Sequence, residues 1–437
     1  MKKLINYIDR KVLKSAIRLH SATVLTKIIS GFLTTKFIAF FIGPEGMALI
    51  GNVSSFLSSA QSFGTGGVYN GAVKYINKYK NATLALSKTL STIYYVGFFS
   101  TFLLSLLIYY NSESINDLLF SNQYNFEYVI RILAIALPFY SLNLFCFSIM
   151  NGFEKYKFLM ILNIIGQIMG LSVTLLLIWK NNIDGALVSV VIAPSLIFLI
   201  TLVGILNRKN FIPLIQIRNV DVAWLKRLSP YSLMAIISGV LMPLVIIAVR
   251  NYIIEEEGLK DAGMWEAMNR ISSYYLLFIN SIMSLYFLPR FAEIDNKADF
   301  RKEVWDFYKT VMPAFGLGLF VIYLLRPFIV SLFLSTEFES VGDLFLWQLL
   351  GDFMKILALV IAYQFIAKRM FWHFIITEIF LLFAVYFLSI YFVDLYGVKG
   401  ANMAHLASYT IYYIIIILIF SSSLFKVDIG AESNFDK

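Results

Sequence analysis

The stretch WQLLGDFMKILALVIAY, Trp347–Tyr363, is apolar enough to cross a bilayer, yet it carries Asp352 and Lys355 in its middle. Counted from an outer start near Asp343, Asp352 lies about 13 Å deep at the ~1.5 Å rise of a helix. A lone charge at that depth costs at least ~2.5–3.5 kcal/mol on insertion scales. Gln348, Asp352 and Lys355 follow i, i+4, i+7 and therefore share one helix face. Two readings are open. The acid and base pair with each other and serve helix packing alone, or they face a cavity or pathway, as intramembrane ionisable groups commonly do.

The rest of the chain has the same character. It has 437 residues, 59% hydrophobic and 14% charged, with a mean hydropathy of +0.75. Apolar runs near the length of a bilayer crossing recur from end to end, and no alternating strand pattern appears. In lipid the backbone must satisfy its own hydrogen bonds, so helices are expected over a barrel. Windows and turn signals give twelve spans, at about 19–42, 47–73, 87–110, 128–150, 158–179, 184–206, 229–253, 263–288, 307–333, 343–366, 370–393 and 400–424. The expected fold is an all-α polytopic membrane protein. The basic N-terminus, MKKLINYIDRKVLKSAIRLH, runs straight into the first span with no cleavage site, so that span is expected to stay. Most of the 36 lysines and arginines fall on the N-terminal side of the alternating loops. The bias puts both termini in the cytoplasm and accounts for most of the net charge without invoking nucleic acid.

A polar, Pro-containing tract near the midpoint divides the chain. Residues 1–208 are expected as one six-helix bundle, 209–228 as a cytoplasmic linker, and 229–437 as a second bundle. The tetrapeptide IISG occurs at Ile28–Gly31 and again at Ile236–Gly239. GMALIGNVSS, Gly46–Ser55, resembles GMWEAMNRISS, Gly263–Ser273. Six spans per half makes these parallel repeats, related by a pseudo-twofold axis along the membrane normal with a site between them.

Other intramembrane polar groups are candidates for that site. Lys27 and Lys36 sit on opposite faces of the first span unless it bends at Gly31, and each either snorkels or lines a cavity. Arg131 and Arg250 lie near span ends. Glu266 and Arg270 form an i, i+4 pair in the favourable order. Glu378 is a protonated group, a partner for a lysine on another helix, or a cavity acid. One cysteine, Cys146, and three separated histidines leave no disulfide, thiolate cage or histidine metal cluster. GTGGVYNGAVKY, Gly64–Tyr75, lacks the phosphate-loop pattern. The outer loops, NSESINDLLFSNQYNFE and EEEGLKDAG, are too short for a catalytic domain, so the chain reads as a transporter and not an enzyme.

The segments GGVYNGAVKYINKY, DGALVSVVIAPSL, LSPYSLMAIISGVLMPL and above all LFLWQLLGDFMKILALVIAYQFIAK resemble the Wzx-type flippases. These are the O-antigen and enterobacterial common antigen translocases of the multidrug/oligosaccharidyl-lipid/polysaccharide exporter superfamily. Lys27, Lys36, Asn70, Lys74, Arg131, Arg250, Trp347, Gln348, Asp352, Lys355, Lys368 and Glu378 match positions typical of that group. NVSSF (Asn52–Phe56) and WEAMNRISS (Trp265–Ser273) depart from it and leave the sugar open. The resemblance implies a MATE-like fold in the bacterial cytoplasmic (inner) membrane. Its cargo would be an undecaprenyl-pyrophosphate-linked glycan, moved to the periplasmic leaflet by alternating access through a cationic cavity. It implies no cofactor beyond a coupling proton or cation. Implied partners are membrane lipids and the polymerase and chain-length regulator of the same pathway. A multidrug exporter of the same superfamily, an oligosaccharide polymerase and a lipid II flippase are the alternatives.

Overall fold

The computed structural model describes residues 11–65, 67, 69–120, 124–206, 212–221 and 232–425. The side chains of Asn70 and Lys74 lie outside what is described, as do those of residues 11–21. Among the described residues the structure is helical, and nine helices are long and apolar enough to cross a membrane. This is a multi-pass membrane protein. One of the nine, within the helix Tyr156–Leu206, breaks at Asn182 (φ 46°, ψ −121°) and so covers both the fifth and sixth expected spans. The helices Gly43–Gly64 and Leu259–Ile282 occupy the second and eighth expected spans. They are not among the nine, because the polar residues that make them interesting also lower their hydropathy.

Helix irregularities follow from the sequence. A π-helical turn spans Ile237–Leu241 and another spans Met283–Phe287, and in each case a proline follows two residues later, at Pro243 and Pro289. A proline lacks the N–H for its i−4 carbonyl and its ring crowds that carbonyl, and a widened turn relieves both. At the first site the carbonyl of Val240 accepts a hydrogen bond from Ser59 Oγ at 2.9 Å. A Cβ on Gly239 would lie 2.6 Å from Ser62 Oγ. The second IISG tetrapeptide, Ile236–Gly239, thus lies at a close helix contact.

Contacts divide the chain into two compact units, Arg18–Asn251 and Tyr252–Lys437 with Met1–Ile17. In the first unit, Glu127–Gly152 packs most extensively against Tyr156–Leu206 and Thr83–Tyr110. The described part of the linker, 212–221, is pinned to the start of Thr83–Tyr110. Ser87 Oγ donates to the carbonyl of Leu214 at 2.5 Å, and Asn219 donates to Ser87 Oγ at 2.7 Å. Ser91 and Thr92 accept the backbone N–H groups of Gln216 and Asp221, and Lys88 pairs with Asp221 at 3.0 Å. Small hydroxyl side chains in the first three turns make a connecting loop a docked strap.

In the second unit, Val398–Ile419 packs along both Phe345–Ala367 and Phe371–Tyr396. Each unit contains one very tight helical hairpin, and the two are alike. Asn182 and Gly397 (φ 62°) make the reversal. Three residues on, a Cβ at Gly185 would sit 1.9 Å from the carbonyl of Leu177, and one at Gly400 would sit 1.9 Å from that of Phe392. Backbone cannot step aside as a flexible side chain does. Gly185→Ala and Gly400→Ala are each expected to cost about 1–3 kcal/mol. Gly318→Ala, where a Cβ meets nothing within 4 Å, is expected to stabilise by about 0.5–1 kcal/mol. Thermal unfolding of the purified variants in detergent checks both signs.

Candidate functional site

The helix Phe345–Ala367 forms because its core is leucine, isoleucine, alanine and phenylalanine, and its polar face is Gln348, Asp352 and Lys355. That face meets a matching stripe on Val398–Ile419, where Asn402, His405 and Tyr409 follow i, i+3, i+7. The two helices run parallel and join side by side as a three-rung polar ladder. Asn402 Nδ2 donates to Gln348 Oε1 at 2.7 Å. His405 Nε2 lies 3.0 Å from Asp352 Oδ1. The ammonium of Lys355 lies over the ring of Tyr409, 5.2 Å from its centre. Gly351 makes the approach possible, since a Cβ there would fall 2.3 Å from His405 Cδ2.

Asp352 is the centre of the ladder, with 0% of its surface exposed. Besides His405 it accepts from Ser272 Oγ and Tyr275 OH, both at 2.5 Å and both from the helix Leu259–Ile282. Gln348 Nε2 completes the set at 3.3 and 3.4 Å, and also contacts Ser272 Oγ. Three helices therefore converge on one carboxylate. No ion pair joins Asp352 to Lys355, although their spacing on one helix permits it. The stronger, shorter contacts come from across the helix interface and use up the carboxylate's acceptor positions. Lys355 is half-buried, and the charges of both Asp352 and Glu378 act on it from beyond contact. Glu378 sits half-buried on Phe371–Tyr396.

The other expected residues divide among separate places. Glu266, buried, and Arg270, half-buried, pair at 2.8 Å. In the other unit Arg250 is 1% exposed, and its Nη1 donates to Asn52 Oδ1 at 2.7 Å. Asn52 in turn donates to the carbonyl of Leu119 and to Asn251. Its place near a span end does not reveal this partner, and the Asn52 amide holds it inside the protein. Arg131 pairs with Glu127 at 2.6 Å, donates from Nε to Ser112 Oγ at 3.2 Å, and stands over Tyr109 at 5.7 Å. Lys27 is exposed and Lys36 half-buried on a helix, Lys11–Phe41, that passes through Gly31 without a break.

Sequence reasoning missed five members of the ladder and its support: Ser272, Tyr275, Asn402, His405 and Tyr409. His405 was passed over as an isolated histidine. The signal was present in the spacing, since Asn402, His405, Tyr409 and Tyr412 keep to one helix face within an otherwise apolar span.

Comparison with known proteins places this geometry. The sequence profile of one family, described as polysaccharide biosynthesis protein, matches residues 12–295. The Lipid III flippase of Escherichia coli (strain K12) is 27% identical over 394 residues, covering 90% of this chain and 94% of that protein. The Lipid III flippase of Shigella flexneri matches to the same extent. Among solved structures, the lipid II flippase MurJ in an inward closed conformation superimposes with a TM-score of 0.73 at 18% identity, over 93% of this chain and 87% of that one. An inward-facing multidrug resistance MATE transporter superimposes with a TM-score of 0.68 at 13% identity, over 94% and 98%. These relatives agree with the flippase resemblance read from the motifs, and the fold is MATE-like.

Because four donors point at Asp352, its removal strands several buried polar groups at once. Asp352→Ala is expected to destabilise by about 2–4 kcal/mol. Lys355→Met, which keeps the stem and loses the contact with Tyr409 and the longer-range attraction of the two acids, is expected to cost less, about 1 kcal/mol. Chemical or thermal unfolding of the two variants side by side measures the difference.

Proposed function

From the polysaccharide biosynthesis protein family, to which this chain belongs, we infer that it moves a lipid-linked oligosaccharide across a membrane. The proposed cargo is an undecaprenyl-pyrophosphate-linked repeat unit of the O-antigen or enterobacterial common antigen type. Its proposed path leads from the cytoplasmic to the periplasmic leaflet of the bacterial inner membrane. The observation that carries this reading is the state of Lys355. An ammonium is held within an apolar helix, half-buried and resting on an aromatic ring, with its neighbouring carboxylate committed elsewhere. A buried base is costly, and a pyrophosphate is the kind of partner that repays it through charge-assisted hydrogen bonds. The 27% identity to Lipid III flippases over most of the chain supports the same cargo class.

The proposed architecture is twelve spans in two six-helix bundles related by a pseudo-twofold axis, with both termini cytoplasmic. The like hairpins at Asn182–Gly185 and Gly397–Gly400 support the repeat. In this scheme Lys27, Lys36, Arg250 and Arg270 add positive potential to the route, and Glu378 balances Lys355. The glycan and pyrophosphate take a wet path while the polyprenyl tail stays in lipid. No bound cofactor is invoked, and a proton or cation gradient supplies the driving force.

A strain lacking the protein is expected to accumulate a lipid-linked saccharide on the inner leaflet, and its structure names the cargo. In vesicles, purified protein is expected to expose a labelled polyprenyl-diphosphate oligosaccharide to an external quencher, with Lys355→Ala at least about tenfold slower. Normal glycan export in the deletion strain, together with no movement in vesicles, would remove the reading.

A further inference from the structure

Asp352 and Lys355 sit three positions apart on one helix, close enough for their charges to act on each other. In an apolar interior an acid and a base that near are expected to join, because each alone is poorly solvated. Here they stay apart. A carboxylate offers about four acceptor positions, and four side chains fill them: Ser272, Tyr275, Gln348 and His405. Three of these are uncharged and the fourth, His405, holds Oδ1 at 3.0 Å, so the acid has no vacancy for an ammonium. Lys355 turns instead to the face of Tyr409. Tyr409 is buried, and its ring stands 4.8 Å from that of His405. The same helix, Val398–Ile419, thus both closes the acid and parks the base.

A ring face is a weak holder of an ammonium compared with a diphosphate, which offers full negative charge and several acceptor oxygens. We propose that the donor cage around Asp352 keeps Lys355 unclaimed, with Tyr409 as its resting surface, so that a diphosphate head group can take the ammonium. Ser272, Tyr275, His405 and Tyr409 are then positioning residues for Lys355 and need not touch the ligand. The arrangement of acid and base stands by itself, and only the identity of the ligand rests on the flippase reading above.

The cage predicts an effect of the opposite sign from simple loss of packing. Removing donors leaves Asp352 short of partners, and Lys355, three positions on along the same helix, is a charged donor able to replace them. The test uses full-length protein in detergent, with its lysines carrying isotope-labelled dimethyl groups that retain the charge. Loss of a signal in Lys355→Arg identifies Lys355 by nuclear magnetic resonance. In the wild type the ring of Tyr409 is expected to displace that signal, and Tyr409→Leu to abolish the displacement. The double variant Ser272→Ala/Tyr275→Phe is expected to lose the displacement as the ammonium swings to Asp352. Adding Asp352→Asn is expected to restore it.

Titration with inorganic pyrophosphate follows the same signal. Affinity in the double variant is expected to fall about fivefold or more, and to return to within about twofold of wild type once Asp352→Asn is added. The single variant Tyr275→Phe shows the same direction if the double variant does not fold. A Lys355 signal and pyrophosphate affinity that ignore the loss of Ser272 and Tyr275, or an absence of rescue by Asp352→Asn, overturns the proposal. Restored displacement with no saccharide movement in vesicles supports the caging of Asp352 and defeats the flippase reading instead.

Discussion

A carboxylate with no solvent contact, set inside an apolar helix, must be surrounded by donors or it will not stay there. Asp352 meets that demand with side chains from three helices, and the arrangement of the second unit follows from it. Gly351 exists where His405 must come close. Ser272 and Tyr275 are spaced one turn apart on Leu259–Ile282 so that both reach the same oxygen. Gln348 serves twice, donating to Asp352 and accepting from Asn402, which fixes the register of two parallel helices one turn further along. In lipid, apolar side chains give no preference for one helix register over another, and polar rungs of this kind do.

The same logic in a milder form shapes the first unit. Asn52 is fully buried and joins Arg250, Asn251 and the carbonyl of Leu119. The strap 212–221 is held by Ser87, Ser91 and Thr92 at the start of Thr83–Tyr110. Small residues permit the close passages, at Gly239 beside Ser62 and at Gly185 over Leu177. Such contacts are how helices associate where the surroundings are as oily as their own side chains.

Much of the helical layout was legible in the sequence. The expected spans 343–366, 370–393 and 400–424 correspond within a few residues to Phe345–Ala367, Phe371–Tyr396 and Val398–Ile419. The expected spans 47–73 and 263–288, read from apolar windows and turn signals, fall on Gly43–Gly64 and Leu259–Ile282, which a stricter hydropathy threshold leaves out. The importance of Gln348, Asp352 and Lys355 was also visible, because charge in an apolar run needs a reason. Their partners were not. Sequence proximity favours Asp352 with Lys355, whereas the fold gives Asp352 to Ser272, Tyr275 and His405 from elsewhere in the chain. Which helix faces meet is tertiary information, and the stripe of Asn402, His405 and Tyr409 acquires meaning only once Val398–Ile419 is known to lie along Phe345–Ala367. The partner of Arg250 was hidden for the same reason, since depth in the membrane does not say whether a side chain turns toward lipid or toward an asparagine.

Division of labour between an acid closed by donors from three helices and a base left beside a ring is what suits this helix to an anionic, sugar-bearing lipid. A double-mutant cycle on unfolding free energy tests that division most directly. The coupling between Asp352 and His405 is expected to be the larger of the two, at about 1–3 kcal/mol, and that between Asp352 and Lys355 the smaller. The reverse order would mean that the acid and base hold each other, and would contradict the account.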